Sequence, residues 1–326
     1  MAVYTTLERD EISTLAAQYG LGPLIDYQGS AEGIENTTYF ITTDESDRND
    51  EEFTQPERHF VLTLFETIST KQLPFFVEFL TLLHTKDLPV PCPLRDPDGE
   101  AIQCLQGKPV LLIPKMPGDH PKIATAEQCR AIGKALAQLH LISIESGIKY
   151  KAQRDIDWLR ETAEMLLTDL EHDEQTLAQD ELQNLSDIAS VSELPRAIIH
   201  GDLFRDNTLF EDDRLSALID FYNAGTGYLM MDLAIVVNDW CSETDGSLNK
   251  NRTNSMVAAY CELRSPDTHE ARLWNHFLRM AAFRFWVSRL LAHQTHRPGG
   301  LTEQKDPGQY KQILLDRRNN PQTFPG

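Results

Sequence analysis

The sequence predicts an α+β chain of two lobes, a small β-rich lobe followed by a larger helical one. Three observations carry that expectation. Runs rich in β-branched and aromatic residues, at 37–42 and 59–65, lie in the first third of the chain. Apolar residues at three- and four-residue steps dominate from Thr125 onward. A length of 326 residues exceeds one small core and suits two lobes in one unit. The junction is expected near 113–118, where Pro114 and the Pro117-Gly118 pair end a strand, which gives lobes at 1–113 and 114–326.

Taken in order, residues 6–19 place Leu7, Ile12, Leu15 and Ala16 on one helical face. Gly20, Gly22, Pro23, Gly29 and Gly33 then punctuate the chain ahead of the two strand runs. Between those runs, 44–57 is densely acidic and reads as a long solvated hairpin loop. Phe75, Phe76, Phe79, Leu80 and Leu83 mark a helix, and 100–105 with 109–113 a further strand pair. Thr125 and Gln128 stand at capping-box spacing before a helix carrying Ile132, Leu136 and Leu139. Helices are expected at 157–170 and 177–188. A compact β insert follows at 197–199, 208–210 and 216–219, then helices at 228–241 and 253–263 and a long one over 268–293.

Composition narrows the function. Fifty acidic residues against thirty basic ones give a formal charge of −20, which repels phosphate backbones and disfavours nucleic acid and anionic membranes as partners. The apolar runs are too short to span a bilayer, and the N-terminus lacks a secretory signature. Five cysteines without a Cys-x-x-Cys pair suggest reduced, mostly buried thiols and a cytoplasmic location.

The most informative segment is His200-Gly201-Asp202-Leu203-Phe204-Arg205-Asp206-Asn207, closed downstream by Ile219-Asp220-Phe221. Two short apolar strands enclose a polar loop with an acid and an amide five residues apart, and a second acid ends the next strand. Phosphoryl transfer to an alcohol needs the hydroxyl oriented and the triphosphate's charge neutralised. Asp202 is suited to orient the alcohol and take its proton. Asn207 and Asp220 offer hard oxygens for Mg2+, which accepts few protein ligands and completes its shell with phosphate and water. His200 is expected to hold the loop rather than act as a base.

The order Asp-x4-Asn, strand, Asp is that of the kinase catalytic loop and metal-binding turn. With His-Gly-Asp at its head it resembles the aminoglycoside phosphotransferase and choline kinase superfamily, which implies a two-lobed protein-kinase-like fold. Residues 33–41, 60–66 and 88–91, with Asn238-Asp239-Trp240-Cys241 and Arg284-Phe285-Trp286, further resemble bacterial homoserine kinase of the kinase-like type. That resemblance runs from about 7 to 318 and implies transfer of the ATP γ-phosphate to the hydroxyl of L-homoserine, a step towards threonine. It assigns Gly33, Asn36, Thr37 and Thr38 to a phosphate-covering hairpin, Pro114 and Met116 to the adenine-binding hinge, and Asp232 to a brace of the catalytic loop. Thr63 stands where most such folds put a phosphate-facing lysine, so another cation is needed there, with Lys115 and Arg205 as candidates.

Homoserine brings a carboxylate, an ammonium and an alcohol. Arg284 lies in an apolar helical run, where an unpaired guanidinium is costly, so it requires an anionic partner. That partner is either the substrate carboxylate or a side chain such as Asp239. Asp239 could instead meet the ammonium, and Tyr222 and Asn223 the rim of the pocket. Two other readings stay open: another alcohol (aminoglycoside, choline, hydroxylysine) as acceptor, and a non-catalytic nucleotide-binding module.

Overall fold

The computed structural model describes residues 4–30, 36–44, 57–294 and 305–325. Up to Met116 the described chain forms one compact unit, and from Pro117 onward another. The division falls beyond the boundary expected after Ile113.

The first unit holds α1 (Arg9–Gln18), β1 (Leu24–Gly29), β2 (Thr37–Asp44), β3 (Glu57–Leu64), α2 (Leu73–Thr85), β4 (Gln103–Leu105) and β5 (Lys108–Pro114). The strands form one antiparallel sheet in the order β1-β2-β3-β5-β4. Side chains alternate across a pleated strand, and β2 shows this directly: Thr37, Tyr39 and Ile41 are buried, whereas Phe40 is exposed. Tyr39, Ile41, Phe60, Leu62, Leu64, Val110 and Leu112 make one face of the sheet and pack with α1 residues Ile12, Leu15 and Ala16. Thr38 opposite Thr63, and Phe40 opposite Val61, lie on the other face. β1 falls in the stretch whose glycines suggested only turns. Its pairing with β2 along most of its length outweighs that local preference.

The second unit contains α3 (Ala126–Ser146), α4 (Ile156–Leu166), α5 (His172–Ala189), β6 (Arg196–Ile199), β7 (Thr208–Glu211), β8 (Arg214–Leu218), β9 (Gly225–Tyr228), α6 (Leu229–Trp240), α7 (Lys250–Cys261), α8 (Thr268–Arg272), α9 (Trp274–Gln294) and α10 (Pro307–Asn319). The capping box at Thr125 is formed, with its hydroxyl accepting the N–H of Gln128. α6 buries every residue from Leu229 to Asn238, and α9 packs on α6 and α10. Asp267 caps α8 through a capping box with Glu270, and the chain breaks step at Leu273, so the single helix expected over 268–293 is two. β9 was not among the expected strands, and its Gly225 and Gly227 weaken the local strand signal. Gly225 serves close approach instead, since a Cβ there would lie 2.5 Å from Ala152 Cα. α10 opens on Pro-Gly, which hid it, yet it buries Tyr310, Ile313, Leu314 and Arg317. No helix among the described residues is long and apolar enough to cross a membrane. All five cysteines are free, but only Cys129 and Cys241 are buried, fewer than expected.

Candidate active site

Asp232, fully buried on α6, organises the loop that follows β6. Its Oδ2 accepts the backbone N–H of His200 at 2.8 Å, and its Oδ1 that of Gly201 at 2.8 Å. A third partner, His140 of α3, was not among the expected site residues. The Tyr260 hydroxyl accepts a hydrogen bond from Arg264 (2.9 Å), so its own proton points to His140 Nδ1 (2.7 Å). That leaves His140 Nε2–H to donate to Asp232 Oδ2 at 3.1 Å. Glu270 anchors the far end of the chain by gripping Arg264 at 2.7 and 2.9 Å. Burial pushes the Asp232 carboxyl up, but these hydrogen bonds, that of His140 foremost, outweigh it and hold it below the usual carboxylate range.

His200 is likewise spent on structure. Its Nε2–H donates to the Ile219 carbonyl at 3.0 Å and its Nδ1 accepts the Asp202 N–H at 3.3 Å. The ring lies tilted against Phe221, 4.4 Å between centroids, and burial pulls its pKa down, so the imidazole is neutral. Gly201 sits at φ +76°, and a side chain there would press on the Asn223 carbonyl at 3.0 Å. Trp240, expected in the core, is buried and also donates from its indole to the Leu203 carbonyl at 3.2 Å.

Asn207 and Asp220 are brought together by the β7–β8 hairpin. Thr208 pairs with Leu218, and one step beyond, the Asn207 carbonyl accepts the Ile219 N–H at 3.0 Å. Asn207 Nδ2 donates to the Asp202 carbonyl at 2.7 Å, so Oδ1 is the atom its amide can offer a cation. Asp220 is exposed at the end of β8, turned into the left-handed region at φ 60° as the chain enters the 3-10 turn Phe221–Asn223. Among the described residues no group of three or more His, Cys, Asp or Glu is placed to hold a metal. One amide and one carboxylate on a shared hairpin end is a donor set that suits magnesium.

Asp202 is partly buried between these elements, and Asn223 Nδ2 donates to its Oδ2 at 3.3 Å. Burial is the main force that pushes its pKa up to about 7; Asp220 and Asp206 add to it, while Arg284 and Arg154 pull the other way. A carboxyl poised there is matched to proton abstraction near neutrality.

The expected substrate residues divide. Asp239 is engaged at one oxygen: its Oδ2 accepts the Arg205 backbone N–H at 2.9 Å and Nε–H at 3.1 Å. It pairs with Arg205 rather than with Arg284, and Arg205 is further tied to the Lys122 carbonyl at 3.0 Å. Arg284 is 5% exposed and its NH1 donates to the Gly201 carbonyl, while its Nε has no hydrogen-bond partner among the described residues. Tyr222, half-buried, adjoins Asn223 in the same turn. Arg154, which precedes the α4 cap Asp155 and carries no motif, donates to Asn223 Oδ1 at 3.3 Å.

In the first unit Thr63 is 7% exposed, in register with Thr38. Thr37 lies on the opposite face. It is fully buried, its hydroxyl accepting the Thr5 N–H (3.1 Å) and donating to Glu66 (2.7 Å), so its side chain does not line the Thr38 face. Asn36 Oδ1 accepts the Glu66 N–H at 3.4 Å, and Lys108 bonds Glu66. Lys115 lies over the Phe40 ring at 5.1 Å. Pro114 ends β5, and Met116 is the last residue of the unit. Gly33 falls outside the described residues.

Comparison with known proteins bears on this arrangement. The model of the phosphotransferase enzyme family APH matches residues 26–274. A homoserine kinase of Pseudomonas aeruginosa is 39% identical over 320 residues, covering 98% of this chain and 97% of that protein. One of Cupriavidus pinatubonensis is 35% identical over 325 residues, covering 97% and 96%. An amicoumacin kinase in complex with AMP-PNP and Ca2+ superposes with TM-score 0.68 at 15% identity, covering 97% of this chain and 94% of that one. A spectinomycin phosphotransferase in complex with ADP gives 0.64 at 13%, covering 95% of each. These structures share the fold, two-lobed and kinase-like. The chain belongs to the phosphotransferase enzyme family, on its homoserine kinase branch.

Proposed function

We propose that this chain is an ATP- and magnesium-dependent kinase that converts L-homoserine to O-phospho-L-homoserine, a step of threonine biosynthesis, in the cytoplasm. The observation that carries the chemistry is the environment of Asp202: a carboxyl raised to about 7 on a loop clamped by Asp232, beside the hairpin end that holds Asn207 and Asp220. The full-length likeness to homoserine kinases supports the choice of acceptor.

In this mechanism Asp202 accepts the hydroxyl proton of homoserine as that oxygen bonds to the γ-phosphorus and the bridging oxygen departs with ADP. Asn223, bonded to Asp202 Oδ2, fixes the rotamer of the carboxylate. Asn207 Oδ1 and Asp220 would hold magnesium, which when bound neutralises phosphate charge. Asn36, Thr38, Pro114 and Met116 of the first unit are the nucleotide-binding candidates, with Thr37 contributing no side chain.

Measured ADP release with L-homoserine, L-serine, choline and kanamycin offered separately tests the reading. Turnover is expected with homoserine at least a hundredfold above the others. No release with homoserine, together with turnover on choline or kanamycin, would refute it.

A further inference from the structure

The second unit holds a small recess beside Gly201, lined by Arg154, Arg196 and Arg284 together with Gly201, Asn223 and Met280. In a chain with formal charge −20 this is an unusual concentration of cations. The one carboxylate in its lining, Asp155, is already engaged: Oδ1 caps α4 at 2.9 Å from the Trp158 nitrogen, and Oδ2 lies 3.9 Å from Lys151. Arg284 is the decisive member. It is 5% exposed, its one hydrogen bond among the described residues goes to the neutral Gly201 carbonyl, and its Nε is left unpartnered. A buried guanidinium in that state carries a desolvation cost that an anion would offset. Burial accordingly draws its pKa down to about 10, with Asp202 pulling the other way and Arg154 adding to the fall. Arg154 stands within bonding reach of Asn223, which itself contacts Asp202, so recess and base share a wall.

We propose that this recess is the acceptor's carboxylate subsite, with Arg284 and Arg154 gripping the α-carboxylate of an amino acid whose hydroxyl is presented to Asp202. It rests on the amino-acid kinase reading above and adds the residues that enforce it. In extended homoserine the carboxylate lies about 5 Å from the hydroxyl, and Arg284 bonds the carbonyl of Gly201, the residue just before Asp202. Arginine suits the task because its planar fork meets a carboxylate in two bonds. An alcohol without the carboxylate leaves the buried Arg284 with its Nε unsatisfied, and is rejected for that reason.

Two measurements on the full chain test this. In the first, kcat/KM is compared for L-homoserine and 3-aminopropan-1-ol, which keeps the alcohol and ammonium but lacks the carboxylate. The parent should prefer homoserine by roughly 10³-fold, and in Arg154→Met the loss on homoserine should exceed the loss on aminopropanol at least tenfold, chiefly through KM. Arg154→Met is preferred to changes at the buried Arg284, with Arg284→Lys as its companion. An unchanged preference in Arg154→Met overturns the proposal. The second measurement needs no turnover: L-2-aminobutyrate, an amino acid without the hydroxyl, should raise the Tm of the parent, whereas its amide should not, and Arg154→Met should lose the response. If homoserine is not phosphorylated but this response holds, the subsite stands and the acceptor assignment falls; if aminobutyrate and its amide act alike, the subsite falls.

Discussion

Asp202→Asn should make the enzyme inactive and, above neutral pH, more stable. The substitution keeps the shape of the side chain and an oxygen to accept the Asn223 amide, but removes the charge. In the folded chain burial lifts the Asp202 pKa to about 7 from the ordinary 3.8. Below about pH 4 the carboxyl is protonated in both folded and unfolded chains and contributes nothing to the difference. Between about 4 and 7 the unfolded chain gives up a proton that the folded chain retains, so stability falls as pH rises, by about 1.4 kcal/mol per pH unit. Above 7 both forms are ionised and the full cost is present. Across roughly three pH units this is at most about 4 kcal/mol, and partial exposure to water reduces it, so about 2–4 kcal/mol is expected.

Urea unfolding of parent and variant at pH 4.5, 6, 7 and 8, without nucleotide or magnesium, measures this directly. The two curves should nearly coincide at pH 4.5 and separate progressively to pH 8, with Asn the more stable. A difference independent of pH, or an Asn variant less stable at pH 8, would show that the carboxylate is not held at an energetic cost, and the argument for Asp202 as a tuned base would fail with it.

Three further outcomes follow from the same geometry. The acid limb of kcat/KM should have its midpoint near pH 7 and fall about tenfold per pH unit below it, because protonated Asp202 cannot accept the alcohol's proton; a flat profile from pH 5.5 to 8.5 contradicts the role. Asp232→Asn sets an N–H donor against the backbone donors of His200 and Gly201, and should cost about 2–4 kcal/mol in urea unfolding and at least tenfold in kcat; near-parental values in both would remove Asp232 from the brace. Gly201→Ala forces a side chain into φ +76° and against the Asn223 carbonyl, so Tm should drop by a few degrees and kcat by about tenfold; a parental kcat would separate Asn223 from the alignment of Asp202.

The parts of this molecule legible in the sequence are those where one local signal decides the outcome. The β2–β3 pairing follows from β-branched alternation, the α3 start from Thr125 and Gln128, and the Asp202–Asn207–Asp220 order from its spacing between short strands. What stayed hidden depends on partners distant in sequence. His140 stands 92 residues from the Asp232 that it bonds, and no periodicity marks it as more than core. Arg154 sits in a polar loop where a cation is ordinary, and acquires meaning only because α4, β9 and α9 place it beside Arg284. The partner of Asp239 is another case. Its position seven residues after Asp232 puts both on one helix face, but that spacing does not show its pairing with Arg205 from the loop before β7.

Two carboxyls of the second unit, Asp232 fully buried and Asp202 partly so, show why identity alone does not assign roles. Asp232 collects two backbone N–H groups and an imidazole N–H, and is held below its ordinary pKa. Its contribution to stability is therefore present above the ordinary carboxylate range and lost only in acid, as pH falls through its lowered value. Asp202 has one long hydrogen bond to its carboxylate and two acids nearby, and is held above its ordinary pKa. One environment satisfies the charge and makes a strut; the other withholds satisfaction and leaves a proton acceptor. Moving a single donor between them, by taking the Gly201 N–H from Asp232 and turning it to Asp202, would weaken the brace and blunt the base together. Gly201, at φ +76°, is the residue whose N–H goes to Asp232 while its neighbour is Asp202.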